Sequence, residues 1–307
     1  MRVPGEPVTV LSAEVRSALA SGAPVLALES TIFTHGLPRP RNLAVALDAV
    51  AQLRDAGVVA ATVGVLDGVP VVGLDEAQIE RLATEDVHKL SVRDLPVAVA
   101  TRSSGGTTVA STAYLAQRAG IAVMSTGGLG GVHRGATTTF DESADLTTLA
   151  STPIAVVSAG VKSILDIGAT LERLETLNIP VVGYRTNRYP AFYVADSGFS
   201  LEYRVDSPAA AADLIAARDA LGLTAAVLIA NPVAESKQLS PAVHDAALAS
   251  AIAAAERDGV SGHDITPYLL DHMQRATGGA SLDVNVEVYR RNVALGAEIA
   301  RAVAERV

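Results

Sequence analysis

Ile154-Ala155-Val156-Val157-Ser158-Ala159-Gly160-Val161-Lys162 is an apolar run of strand length that ends in small residues and a single lysine. A continuous apolar run, with no polar residue at every second position, suits a parallel strand covered on both faces. Similar runs occur at residues 25–28, 58–66, 97–100, 121–124, 181–183 and 225–229, and helical patterns separate most of them. This alternation predicts a three-layer α/β/α fold around a central mixed, largely parallel sheet. The mixed character comes from Asp67-Gly68, set between Thr62-Val63-Gly64-Val65-Leu66 and Val69-Pro70-Val71-Val72-Gly73, which reads as a two-residue hairpin. After Asn231-Pro232 the pattern changes to long helices over 241–258, 265–276 and from 284 to the end. Without an internal repeat or low-complexity linker, the chain reads as a single α/β domain over 1–307. Residues 1–23 form an N-terminal extension and helix, and 232–307 a mainly helical portion.

Composition narrows the function. Of 307 residues, 49% are hydrophobic and 19% charged, with a mean hydropathy of +0.32, which excludes a disordered chain. No uninterrupted apolar stretch reaches the ~18 residues of a membrane span, and Arg2 and Glu6 interrupt the N-terminus where a leader needs an apolar run. A cytoplasmic protein without membrane contact is expected. The absence of cysteine removes disulfides, thiolate metal sites and cysteine nucleophiles, leaving oxygen and imidazole as metal ligands. A net charge of −9 argues against a broad nucleic-acid surface, so an anionic small molecule would need a local positive site. Only three of the 24 basic residues are lysine: Lys89, Lys162 and Lys237. Arginine stays protonated, whereas lysine can become a neutral nucleophile, so each lysine is a candidate for chemistry.

Sites in open α/β sheets gather at the carboxyl ends of strands. Three apolar runs deliver polar residues there: Glu29-Ser30-Thr31, the glycine-rich segment 125–135, and Lys162. Lys162 is expected in the first turn of a helix, where burial and the helix dipole would favour its neutral form. Its other reading is an ion pair with Asp166 at i+4. Glu29 is either a general acid or a cap of the next turn. Residues 101–110 run into a helix and offer hydroxyls and amides to an anion, or serve only as its cap. Asp141, Glu142 and Asp145 read either as a Mg²⁺ or Mn²⁺ site with few protein ligands or, through Asp141 or Ser143, as a helix cap. His133, in the glycine-rich loop, is a candidate contact to substrate or metal.

Taken in order, these segments resemble the pseudouridine-5'-phosphate glycosidase family, which includes the indigoidine synthase A-like proteins. The resemblance runs from about Pro24 to the C-terminus. It rests on Leu28-Glu29-Ser30-Thr31 with Thr34-His35-Gly36, Gly64-Val65-Leu66-Asp67-Gly68, and Lys89 with Arg93-Asp94-Leu95. Further matches are Gly105-Gly106-Thr107-Thr108-Val109-Ala110, Gly130-Gly131-Val132-His133-Arg134-Gly135, Asp141 with Ser143-Ala144-Asp145-Leu146, and residues 159–166 around Lys162.

The resemblance implies an enzyme that reversibly splits pseudouridine 5'-phosphate into uracil and ribose 5-phosphate. It assigns Lys162 as the nucleophile that forms an imine with C1' of the opened ribose, and Glu29 as the proton donor. Asp141 would hold a divalent metal, Mn²⁺. Lys89, Thr108, the backbone of Val109, Ser143, Ala144 and Asp145 would contact the phosphorylated sugar, with His133 and Asn285 nearby. A homotrimer with an α/β core is the implied assembly.

The chemistry accounts for that set. A carbon-linked base offers no leaving oxygen for a two-carboxylate glycosidase to protonate. Bonding an amine to C1' of the opened ribose lets the carbon-carbon bond break as the imine forms, and Glu29 can then protonate C5 of uracil. Phe33, Arg39, Glu142 and Ala280 depart from the family pattern, at the rim rather than at the nucleophile. Two other readings share the same features: a sugar or nucleoside kinase, which would need ATP, and a non-catalytic sugar-phosphate binding protein, which would form no covalent adduct.

Overall fold

The structure is a computed structural model that describes residues 9–260 and 265–306. Its strands are β1 (Val10–Leu11), β2 (Val25–Leu28), β3 (Val59–Leu66), β4 (Val69–Val72), β5 (His88–Leu90), β6 (Gly105–Thr107), β7 (Val123–Ser125), β8 (Ala155–Ser158), β9 (Val181–Tyr184), β10 (Tyr203–Val205) and β11 (Val227–Ala230). They form one sheet in the order β1-β4-β3-β2-β7-β8-β11-β9-β10, with β6 also paired to β3 and β5 to β6. Only the pairings of β3 with β4 and with β6 are antiparallel. Asp67 and Gly68 both take left-handed backbone angles, φ 50° and 78°, as the tight hairpin between β3 and β4 demands.

Side chains of each central strand alternate between two cores. Val25 and Ala27 of β2 pack with one, Leu26 and Leu28 with the other, and all four are buried. Burying a leucine of this kind contributes about 1.5–3 kcal/mol relative to leaving it in water. The first core is closed by α1 (Ala13–Ala20), α4 (Leu95–Thr101), α5 (Val109–Arg118), α7 (Ala144–Leu149) and α8 (Ile167–Thr176). The second is closed by α2 (Arg41–Asp55), α3 (Glu76–Thr84), α9 (Pro208–Ala220) and α12 (Ala280–Ala304). The three-layer arrangement therefore follows the expectation from the apolar runs.

Three readings need correction. Residues 97–100, expected as a strand, lie in α4: Pro96 fits the first helical turn, where no amide bond is lost, and Val97 is 60% exposed. Lys162 is not in a helix, because α8 begins only at Ile167 and is capped by Asp166, whose carboxylate accepts the Ala169 N–H at 3.0 Å. The helix dipole thus does not act on Lys162 as expected. The last helix starts at Ala280, one turn before 284. By contrast, α10 (Pro241–Asp258) and α11 (Ile265–Ala276) occupy the expected spans, and no strand follows β11 among the described residues. A short α6 (Ala136–Thr139) interrupts the loop after β7. Among the described residues no helix is long and apolar enough to cross a membrane.

The topology defines where a ligand can enter. From β2 the chain proceeds to β3 on one side, and from β7 to β8 on the other, although β2 and β7 are hydrogen-bonded neighbours. The connections leave in opposite directions and open a crevice at the carboxyl ends of β2 and β7.

Candidate active site

Glu29 leaves β2 at this crevice and is only 5% exposed. The turn that carries it is fixed from below by Ser30, whose hydroxyl donates to the Val63 carbonyl at 2.6 Å and accepts the Thr107 N–H at 2.8 Å. Two hydroxyls, Thr31 Oγ1 and Thr126 Oγ1, donate to the two oxygens of the Glu29 carboxylate. Burial pushes the Glu29 carboxyl above its ordinary value, while the Lys162 charge and these two hydroxyls pull it back. A carboxyl held in that balance suits a general acid.

Lys162 reaches the crevice because the loops after β7 and β8 run side by side. Leu129 N–H donates to Gly160 O at 2.9 Å, Lys162 N–H to Leu129 O at 3.1 Å, and Ala159 N–H to Gly127 O at 2.9 Å. The buried Tyr189 hydroxyl accepts the Val161 N–H at 2.9 Å and fixes the residue just before the amine. Lys89, on β5, faces the same space. Its side chain is exposed, and burial of its amine, with the nearby Lys162 charge, lowers its pKa.

Glu29, Lys89, Lys162 and Asn285 line one cavity of about 470 Å³. Its other walls are largely apolar, with Ile32, Phe192 and Leu270 prominent. His35, from the turn Ile32–Gly36, also faces it; burial and then Lys89 lower its pKa, so the ring is neutral near pH 7. A cavity that combines charged groups with apolar walls has room for a ligand with both polar and apolar parts.

The remaining expected residues stand around this cavity rather than in its lining. Thr108 caps α5, and Val109 is the first residue of that helix. Ser143 caps α7 by accepting the Asp145 N–H at 3.2 Å, with Ala144 the first helical residue. The Asp145 carboxylate is buried and close enough to act electrostatically on Glu29 and Lys89. His133 feels Lys89 and Lys162, and burial, its largest influence, lowers its pKa. Its Nδ1 lies 3.7 Å from Asp141 Oδ2. Glu142 is drawn away into an ion pair with Arg173 at 2.9 Å.

No group of three His, Asp or Glu side chains that could share a metal occurs among the described residues. Asp141 and His133 are two side chains only, so a cation held there would have to keep most of its water. Of the departures from the family pattern, Phe33 is buried in the core, and Arg39 donates to the Ala83 carbonyl at 3.0 Å. Ala280 begins α12.

Sequence reasoning assigned no role to Thr31, Thr126, His35, Phe192 or Asn292. Thr31, Thr126 and His35 lie inside motifs that drew attention for other residues. Phe192 and Asn292 carry no local signal, since they reach the site through the loop after β9 and through α12.

The fold agrees with what comparisons with known proteins find. The family described as indigoidine synthase A like protein matches residues 14–302. A pseudouridine-5'-phosphate glycosidase of Saccharopolyspora erythraea is 67% identical over 96% of this chain and 98% of its own length. One from Frankia alni is 58% identical over 97% of this chain and 82% of its own. Among solved structures, the prealnumycin C-glycosynthase AlnA in complex with ribulose 5-phosphate superposes with a TM-score of 0.91 at 36% identity, covering 98% of each chain. An indigoidine synthase A-like protein of Thermotoga maritima gives 0.88 at 33% identity, covering 99% of this chain and 100% of its own. The fold and crevice are those of an α/β protein with an amine and a buried acid at the sheet's switch point. The chain belongs to the indigoidine synthase A-like family.

Proposed function

We propose that this protein is a pseudouridine-5'-phosphate glycosidase, which reversibly cleaves the carbon-carbon bond between uracil and ribose 5-phosphate. The observation that carries this reading is the convergence of Lys162, Glu29 and Lys89 on one cavity at the switch point. The high identity to relatives of that name over nearly the whole chain supports it.

In this reading the Lys162 amine bonds to C1' as the ring C1'–O4' bond breaks, and O4' takes the proton that the nitrogen loses. The nitrogen lone pair then forms the C=N bond while the C1'–C5 bond breaks. The electron pair left on C5 of uracil takes a proton from Glu29, and water hydrolyses the imine to release ribose 5-phosphate. Lys89, the α5 N-terminus at Thr108 and Val109, and the Ser143-Ala144-Asp145 turn bind the phosphorylated sugar, with His133 nearby. Asn285 lines the same cavity, where its amide would meet the polar edge of the base. Asp141 would hold a hydrated divalent cation, Mn²⁺, which when bound would help neutralise the sugar phosphate. A homotrimer working in the cytoplasm completes the reading.

The test is to incubate the purified protein with pseudouridine 5'-phosphate and Mn²⁺, without ATP. Uracil and ribose 5-phosphate should appear together, and borohydride should trap a ribose phosphate adduct on Lys162. A requirement for ATP would point to a kinase, and reversible binding with no trapped adduct to a non-catalytic binding protein.

A further inference from the structure

Asn292 is 1% exposed, sits in the middle of α12 and is not among the residues that line the substrate cavity. Its Nδ2 donates to both carbonyls of that turn, at 2.8 Å to Thr126 O and 3.1 Å to Gly127 O. Its Oδ1 accepts the Asn231 Nδ2 at 2.9 Å, and its main-chain carbonyl accepts the Ser125 hydroxyl at 2.9 Å. Asn231, at the end of β11, is fixed in turn by its own N–H to Ser158 O at 2.8 Å. Every hydrogen-bonding atom of the Asn292 amide side chain is therefore used. An amide, with donors and an acceptor on one planar group, is the side chain that can serve two carbonyls and an amide together.

The clamped turn ends at the acid. Thr126 Oγ1 donates to Glu29 Oε1, and Thr126 N–H donates to Val157 O at 3.0 Å. We propose that Asn292 is a positioning residue for the acid: by holding the Thr126-Gly127 carbonyls it aims the Thr126 hydroxyl at Glu29 and so fixes the direction from which the proton is delivered. The proposal rests on Glu29 being the acid of the proposed reaction, and assigns to α12 a part in catalysis that touches no substrate. Buried polar groups left without partners are costly, so the arrangement persists only if all its members are satisfied.

The consequence can be read in the pH dependence. Glu29 must be protonated to serve as acid, so cleavage is lost as pH rises through its pKa. The groups that face it are Lys162 from the loop after β8, Lys89 from β5, Asp145 from α7 and Tyr289 from α12. The Thr126 hydroxyl favours the ionised form. Displacing it moves the alkaline limb of the kcat profile to higher pH.

The experiment compares Asn292→Ala, Thr126→Val and the double variant. Each single change should move the alkaline limb upward and lower kcat by about tenfold, less than the ~10²-fold that loss of an acid costs. The double variant should do no more than either single, because both act on one contact. Asn231→Ala, which leaves both clamping bonds in place, should shift the limb in the same direction by less, and it serves if Asn292→Ala does not fold. An unmoved limb in these variants, or effects that add in the double, would overturn the proposal. Glu29→Gln is measured alongside: cleavage at the wild-type rate would show that the acid is misassigned, and the proposal falls with it. A slow Glu29→Gln beside an unmoved limb in Asn292→Ala would sink the positioning role alone.

Discussion

Asp145 holds the backbone of Gly130, its Oδ2 accepting the Gly130 N–H at 2.8 Å while Oδ1 accepts the Ala110 N–H at 2.9 Å. One carboxylate from α7 thus ties the start of α5 to the loop that runs beside Lys162. In Asp145→Asn one of these acceptors becomes a donor and faces an N–H. Such a charged hydrogen bond is worth about 1.5–3 kcal/mol, so urea denaturation should show a loss of that order. Ribose 5-phosphate affinity should fall as well, measured by calorimetry; unchanged stability and affinity would remove Asp145 from the site's support.

Lys162→Arg keeps the positive charge but cannot form an imine. Uracil release should fall below detection while circular dichroism stays native, and borohydride should trap no ribose phosphate. Wild-type turnover in this variant would end the covalent mechanism.

Glu29→Gln should slow cleavage by about 10²-fold or more, with a smaller effect on ribose 5-phosphate binding. Rapid-quench measurement of the first turnover separates the two quantities. An equal loss in both would make Glu29 a binding group.

The same substitution should stabilise the protein at neutral pH. Burial raises the Glu29 carboxyl above its ordinary value of 4.5, so the folded state binds the proton more tightly than the unfolded chain. Stability linked to that proton is full below 4.5 and is lost as pH rises through the folded pKa. Glutamine removes the titration. Urea midpoints should therefore diverge in favour of Glu29→Gln as pH rises from 4 toward 8, and parallel curves would contradict the raised pKa.

Gly128 packs against the Phe192 ring: a Cβ there would lie 2.5 Å from Phe192 Cδ2 and 2.7 Å from Cε2. Phe192 is buried and edge-packed on Tyr193 at 4.7 Å, so it cannot retreat freely. Gly128→Ala should cost about 1–3 kcal/mol of stability by overpacking. It should also raise KM by pushing the ring into the cavity, and an unchanged KM would show that the ring does not border the substrate.

The strand ends that place Glu29 and Lys162 were legible because buried parallel strands are uninterrupted apolar runs, and the Asp67-Gly68 hairpin because few residue pairs accept two left-handed backbone positions. Residues 97–100 misled for the same reason: an apolar run of four does not tell strand from helix, and Pro96 in the first turn decided it. The short strands β1, β5, β6 and β10 carry two or three residues each and leave no periodic trace. Lys89 was found through the scarcity of lysine and the family resemblance, although it lies on one of these strands. Asn292 was out of reach, because its partners Thr126 and Asn231 lie 166 and 61 positions away in the chain.

Helix α12 packs across β2, β7 and β8 and brings Asn285 to the cavity and Asn292 to the Thr126-Gly127 turn. Domains emerge from the ribosome N-terminus first. Glu29, Lys89 and Lys162 are thus all translated before the helix that brings Asn285 to their cavity, and a nascent chain carries the proposed nucleophile before the chamber around it is complete. Termination before α12 (Ala280–Ala304) should therefore abolish activity although Glu29, Lys89 and Lys162 are all present.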